Sequence, residues 1–132
     1  DEIIQKYNLG GKNILVTMDG VNLGKTSLYS NNLALLAQRV GRIQSDQLQF
    51  VYQLTSGIHF LTEMRKLAVG NAIKHISLNQ IASYSSLSPN SINERNKVGI
   101  MFKNVDDIIL ISKLKIENNK KLKQMLLQNL FI

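Results

Sequence analysis

Gly20-Val21-Asn22-Leu23-Gly24-Lys25-Thr26 follows directly on a β-branched apolar run, Asn13 to Met18, and presents glycines, a lysine and a hydroxyl in the order of a phosphate-binding loop. In such a loop successive backbone amides wrap the phosphates, which takes four residues between the glycines; Gly20 and Gly24 enclose three. Tyr29-Ser30-Asn31-Asn32 reads as a turn where a phosphate loop would run into a helix. The aspartates that would hold magnesium, Asp106-Asp107, precede an apolar run in a helical stretch instead of ending a strand. A degenerate nucleotide-binding loop is therefore the weakest of the functions weighed for this chain.

Other chemistry-bearing side chains are sparse. The absence of cysteine removes disulfides, thiol catalysis and cysteine-rich zinc sites together. His59 and His75 are the only histidines, with no partners at metal-ligand or triad spacing. The expectation is a chain without a catalytic centre, metal or cofactor. Sixteen Lys and Arg against nine Asp and Glu leave a formal charge of +7, an excess that draws polyanions. Nucleic acid is the first partner this implies; a solvated surface in a Lys- and Asn-rich composition is the alternative, and charge alone leaves both open.

The elements that would position these residues follow from periodicity. Asn13 to Met18 predicts a strand, flanked by Gly10-Gly11 and Asp19-Gly20; Thr26 to Tyr29 predicts a second. Leu33 to Ile43 reads as a third strand or, since Ala and Leu dominate its start, as a helix. From Asp46 to Ala68 apolar residues recur at helical spacing with a break at Ser56-Gly57, predicting two short helices, the first capped by Ser45 or Asp46. Gly70-Asn71 is a turn, Ile73 to Ile76 a short extended piece, Leu78 to Ala82 a helical turn and Ser83 to Leu87 a further strand candidate.

After Pro89, the only proline, a single glycine at 99 interrupts an otherwise uninterrupted helical pattern, and Ser91 with Glu94 fits a capping box. The predicted helix of about forty residues would be roughly 60 Å long, more than the span of a domain of about ninety residues. Val98, Phe102, Val105, Ile109, Ser112, Ile116, Asn119, Lys123, Leu126 and Leu130 alternate at spacings of four and three, the pattern of a coiled-coil seam. Ser112, Asn119 and Lys123 are polar seam positions that penalise wrong registers. A second apolar set, Ile111, Leu114, Leu122 and Met125, is expected to meet the globular part or a third helix. The 132 residues thus divide into an α/β (α+β) domain over 1–89 and a helical spacer over 90–132. No apolar run approaches a membrane span, and the expected location is the cytoplasm. Asp1 in first place and the early apolar run raise the expectation of a piece of a larger protein.

Taken in order, the segments "NILVTMDGVNLGKTSLYSNNLALLAQRVGRI", "LQFVYQLTSGIHFLTEMRKLAVGNAIKHISLNQI" and "SLSPNSINERNKVGIMFKNVDDIILISKLKIENNKKLKQMLLQNLF" resemble the second part of a target recognition domain, and its following helix, in type I restriction-modification specificity subunits. The resemblance covers nearly the whole chain. Its most specific pieces are the Gly-Lys after the first strand, Gln38-Arg39-Val40, the Gly70-Asn71-Ala72-Ile73 turn, and the run ending in "LKQMLLQNLF".

That resemblance implies a non-catalytic subunit that docks duplex DNA in the major groove, with methyltransferase and restriction subunits assembling on it. It also implies that the long helix packs against a second one, from another half-module or another copy of the chain. The residues placed at the DNA-facing edge are Asn22 and Lys25 on the glycine loop and Asn71 and Lys74 in the Gly70 turn, because amides can read adenine and lysines reach phosphate or guanine. The alternative is that the asparagines serve turn geometry and the lysines are merely solvated. Arg39, expected in a strand, is a further DNA candidate or a structural partner of an acid such as Asp19. A pure assembly protein, with incidental charge and the helix as its whole function, is the competing class.

Overall fold

In the computed structural model, which describes residues 2–131, the apolar run Ile14 to Val16 lies in the central strand of a three-stranded antiparallel sheet. Asp1 and Ile132, the outermost residues of the two expected ranges, lie outside the described residues. A short helix, α1 (Glu2–Tyr7), leads into β1 (Asn8–Thr17), which is flanked by β2 (Thr26–Leu35) and β3 (Val40–Ile43) in the order β2-β1-β3. The strand expected from Asn13 therefore begins five residues earlier, across Gly10-Gly11.

That early part is not a straight extension. The β1–β2 register slips on both sides of Leu9, and Gly11 takes a φ of 77°. Buried Asn13 holds the irregularity: its Nδ2 donates to the carbonyls of Leu9 at 2.9 Å and Tyr29 at 3.3 Å, while its Oδ1 accepts from Gln44 at 2.9 Å. A buried amide with its polar atoms engaged is structural in character.

The segment Leu33–Ile43 is neither one strand nor a helix. Its start completes β2, its end forms β3, and residues 36–39 cross between them. Leu36 donates its amide to Tyr7 O and Met18 donates to Arg39 O, so the crossover is tied at both ends. Arg39 consequently sits in the left-handed region at φ 61°, outside the strand expected for it. Arg42 lies in β3, and its guanidinium donates to Lys6 O at the end of α1 and to Asn8 O at the start of β1, at 3.0 Å each.

The two helices expected between Asp46 and Ala68 are present as α2 (Leu48–Ser56) and α3 (Ile58–Leu67), broken at Gly57. The cap differs: Gln47 is the N-cap without a side-chain bond, and Ser45 Oγ instead accepts the Gln47 amide at 3.0 Å. Phe60 and Met64 of α3 pack with Val16, Leu23, Ile76 and Ile81 in the core, and Tyr84 meets the Phe60 ring edge-on at 4.9 Å. The turn at Leu78–Ala82 is α4, closed by a full capping box between Ser77 and Gln80. Residues 83–87, expected as a strand, form none, because no strand lies beside them and Leu87 is wholly exposed.

The long helix, α5 (Ile92–Leu130), runs 39 residues from the Ser91 cap, whose Oγ accepts the Glu94 amide at 3.4 Å. Among the described residues, only its first four turns touch the rest of the molecule. Arg95 donates to Gln47 Oε1 at 2.7 Å and to Pro89 O at 2.6 Å, Gly99 is buried against α2, and Asp106 accepts from Gln53 at 2.8 Å. From residue 107 to 130 every position of α5 is exposed. No helix among the described residues is long and apolar enough to cross a membrane.

Candidate nucleic-acid interface and apolar seam

The loop from Met18 to Lys25 joins β1 to β2 as a hairpin connection, with Thr17 N bonded to Lys25 O at 3.0 Å and Gly24 N to Thr17 O at 2.8 Å. Leu23 turns inward and is buried in the core, which fixes the loop to the body. Gly24 has a φ of 81° and faces α3 so closely that a Cβ would lie 3.1 Å from Leu61 Cδ1. Both the positive φ and the contact call for glycine there.

This geometry removes the phosphate-loop reading. Thr26 opens a strand, so no helix N-terminus follows the glycines. The amides of Gly20, Leu23, Gly24 and Lys25 are already donated to the carbonyls of Lys74, Gly20, Thr17 and Asn22. They have no free hydrogens to wrap a phosphate.

The same bonds bring the predicted DNA-facing residues to one place. Gly20 N donates to Lys74 O at 3.2 Å and Ile76 N to Met18 O at 2.9 Å, so the Gly70 turn pairs with the glycine loop. Within that turn Val69 and His75 exchange backbone bonds of 3.0 and 2.8 Å, and Gly70 adopts a φ of 122°. Through Met18 N the Arg39 crossover joins from a third side. Asn22, Lys25, Arg39, Asn71 and Lys74 thus sit exposed on three adjoining loops.

The residue that sequence reasoning undervalued is Asp19. Its Oδ2 accepts from Arg39 NH1 at 2.9 Å, making the ion pair that was the structural alternative for Arg39. It also lies in the backbone segment shared by all three loops, forming an isolated bridge with His75. A half-buried carboxylate here opposes polyanion binding and partly neutralises Arg39. A pair with side chains 68% and 30% exposed contributes about 0–1 kcal/mol to stability.

The seam residues have a different fate. Val98 is half-buried where α5 crosses α2, whereas Phe102, Val105, Ile109, Ser112, Ile116, Asn119, Lys123, Leu126 and Leu130 are exposed. Ile111, Leu114, Leu122 and Met125 are exposed as well, so the second apolar set does not meet the globular part, because α5 leaves the body after Asp106. Five lysines, Lys113, Lys115, Lys120, Lys121 and Lys123, stand against Asp107 and Glu117 in this free stretch. Among the described residues no group of three or more His, Cys, Asp or Glu is placed to hold a metal ion. No family model and no curated protein matches the chain.

Proposed function

We propose that the chain is a DNA-recognition module of the type I restriction-modification specificity kind, which binds duplex DNA through the three-loop edge and pairs through α5. Methyltransferase and restriction subunits are then the partners of the paired assembly, and the module itself performs no chemistry. The observation that carries the reading is the convergence of Asn22, Lys25, Arg39, Asn71 and Lys74 on loops bonded to one another, although they span 53 residues of sequence. The first turns of α5 border the opposite part of the sheet, sharing a cavity with Lys12, Leu48 and Phe50. Lys12 lies about 20 Å along the strand from Met18 at 3.3 Å per residue. The crossing of α5 on α2 therefore lies away from the three-loop edge, which supports separate partners for the proposed binding edge and the proposed seam.

A second copy of the chain is the nearest partner for the seam. An antiparallel pair centred on Ser112 sets Asn119 near Val105 and Lys123 near Phe102, mixed contacts that make self-pairing weaker than pairing with a matched half-module. Gel-shift of the purified chain on random duplexes across a salt series tests the DNA reading. Binding should weaken steeply as salt rises, in proportion to the phosphates neutralised; no shift at low salt leaves the helical scaffold as the function.

A further inference from the structure

Helix interiors disfavour glycine by about 1 kcal/mol relative to alanine, yet α5 carries Gly99 within its second turn. At this point the helix lies directly on the backbone of α2. A Cβ on residue 99 would come 2.6 Å from Phe50 N and 3.0 Å from both Gln49 C and Phe50 Cα, where ordinary contact begins at 3.4 Å. These are main-chain atoms of a packed helix and cannot swing aside as a side-chain tip can. Two further attachments bracket the crossing. Four residues before it, Arg95 ties α5 to Gln47 and to the Pro89 and Asn90 carbonyls; seven residues after it, Asp106 accepts from Gln53.

We infer that Arg95, Gly99 and the Gln53–Asp106 pair form a rigid bracket that sets the direction in which α5 leaves the body, with Gly99 as the positioning residue. The inference stands on the packing alone and holds whichever partner the distal helix takes. It follows from a lever argument. Among the described residues nothing beyond Asp106 ties the helix to the body, so any tilt at the crossing is carried undamped to its end.

An alanine at 99 needs about 0.8 Å of extra clearance to move from 2.6 to 3.4 Å. At about 1.5 Å rise per residue, Arg95 lies about 6 Å and Asp106 about 10 Å along the axis from the crossing. If Asp106 holds as the pivot, residue 124 is displaced by about 2 Å; if Arg95 holds, by about 6 Å. The surface that meets a partner would be carried out of place although none of its residues had changed.

The absence of native cysteine allows clean spin-labelling at introduced positions. Labels at Gln124→Cys paired with Asn31→Cys or with Thr62→Cys, diluted into excess unlabelled chain, report two body-to-helix distances by pulsed dipolar spectroscopy. All three positions are exposed. Gly99→Ala should shift the mean of at least one distance by 2–6 Å with helicity retained, while Lys97→Ala, at an exposed position two residues away, should shift neither. Arg95→Lys adds no bulk but gives up the guanidinium fork, and should broaden both distributions; it decides the matter should Gly99→Ala not fold. Unshifted means in a folded Gly99→Ala chain, or unbroadened distributions in Arg95→Lys where Gly99→Ala does not fold, overturn the bracket.

Discussion

Between Val16 and Ile81 the chain gathers Val16, Leu23, Phe60, Met64, Ile76 and Ile81 into a core, although Val21, Leu33 and Ile58 remain outside it, whereas from Ile108 to Leu130 every large apolar group is exposed. In that second region the least exposed, Ile109, still shows 45% of its surface. Both regions draw on Ile, Leu and Met, so composition does not separate them. The difference is topological. In the body, tight backbone ties at Gly20, Met18 and Val69 fold short elements onto one another until their apolar faces meet. In α5 a continuous helix outruns the body, and its local hydrogen bonds do nothing to cover its side chains. A helix with apolar residues on several sides is characteristic of a buried position between partners. The body carries its own core; the distal helix has none, and the proposed pairing would supply it.

The largest expected effect tests that contrast on its stable side. Phe60→Ala empties the centre of the core and should reduce stability by about 3–5 kcal/mol, read from urea unfolding of dilute protein. Leu114→Ala at the same dilution should change it by less than about 0.5 kcal/mol, because its surroundings are already solvent. Equal losses in the two variants would mean that the distal helix is covered by its own body in solution, and the contrast would break.

The next effect concerns the surface left open. Burying several large seam residues would contribute about 25 cal/mol per Å² of apolar area, so the proposed self-pairing is expected to show at micromolar concentration. A carboxylate at Ile109 would have to be desolvated in any such pair, so Ile109→Asp should weaken self-association at least tenfold in sedimentation. A wild-type chain that stays monomeric with a fully helical α5 would sink self-pairing while leaving the body untouched. On the body, Lys25→Ala with Lys74→Ala should lower DNA affinity across all sequences and reduce the salt slope by about two. An unchanged slope would remove the three-loop edge from the proposed interface.

The two regions also differed in how much could be read from sequence. The helix was legible nearly to the residue, since one unbroken period from Ser91 onward leaves few alternatives. So was the Gly57 break, because helical periodicity stops and restarts around it. The β2–β3 crossover was not: its direction is set by the remote carbonyl of Tyr7 and the amide of Met18, which no local window contains. The false strand at 83–87 has the same origin, because alternation of residue types cannot supply a neighbouring strand. For the candidate edge, turn chemistry singled out the Gly20 and Gly70 loops, but the meeting of Gly20 with Lys74 needed the fold. Asp19 was visible only as a possible partner of Arg39, and its central place emerged from long-range bonds. Gly99 did carry a signal, since an isolated glycine in a strong helix implies close packing.

The smallest expected effect is the most discriminating for the edge, and it turns on Asp19. If Lys25, Arg39 and Lys74 approach phosphate, the Asp19 carboxylate among them repels the ligand and holds the Arg39 guanidinium back at 2.9 Å. Asp19→Asn keeps the size and the backbone bridge to His75 while removing the charge, so it should cost under about 1 kcal/mol of stability and raise DNA affinity a few-fold at low salt. The gain should fade as salt rises, since exposed charges a few ångströms apart are screened over roughly 10 Å at 0.1 M. Arg39→Gly separates charge from backbone: it relieves the φ of 61°, which glycine adopts freely, and should leave stability nearly unchanged while lowering affinity. If Arg39 is instead a strut, Asp19→Asn and Arg39→Gly will both lower the melting temperature and leave the binding of the remaining folded protein as it was. Affinity rising in Asp19→Asn and falling in Arg39→Gly, with both proteins intact, is the pattern that only a charge-reading edge produces.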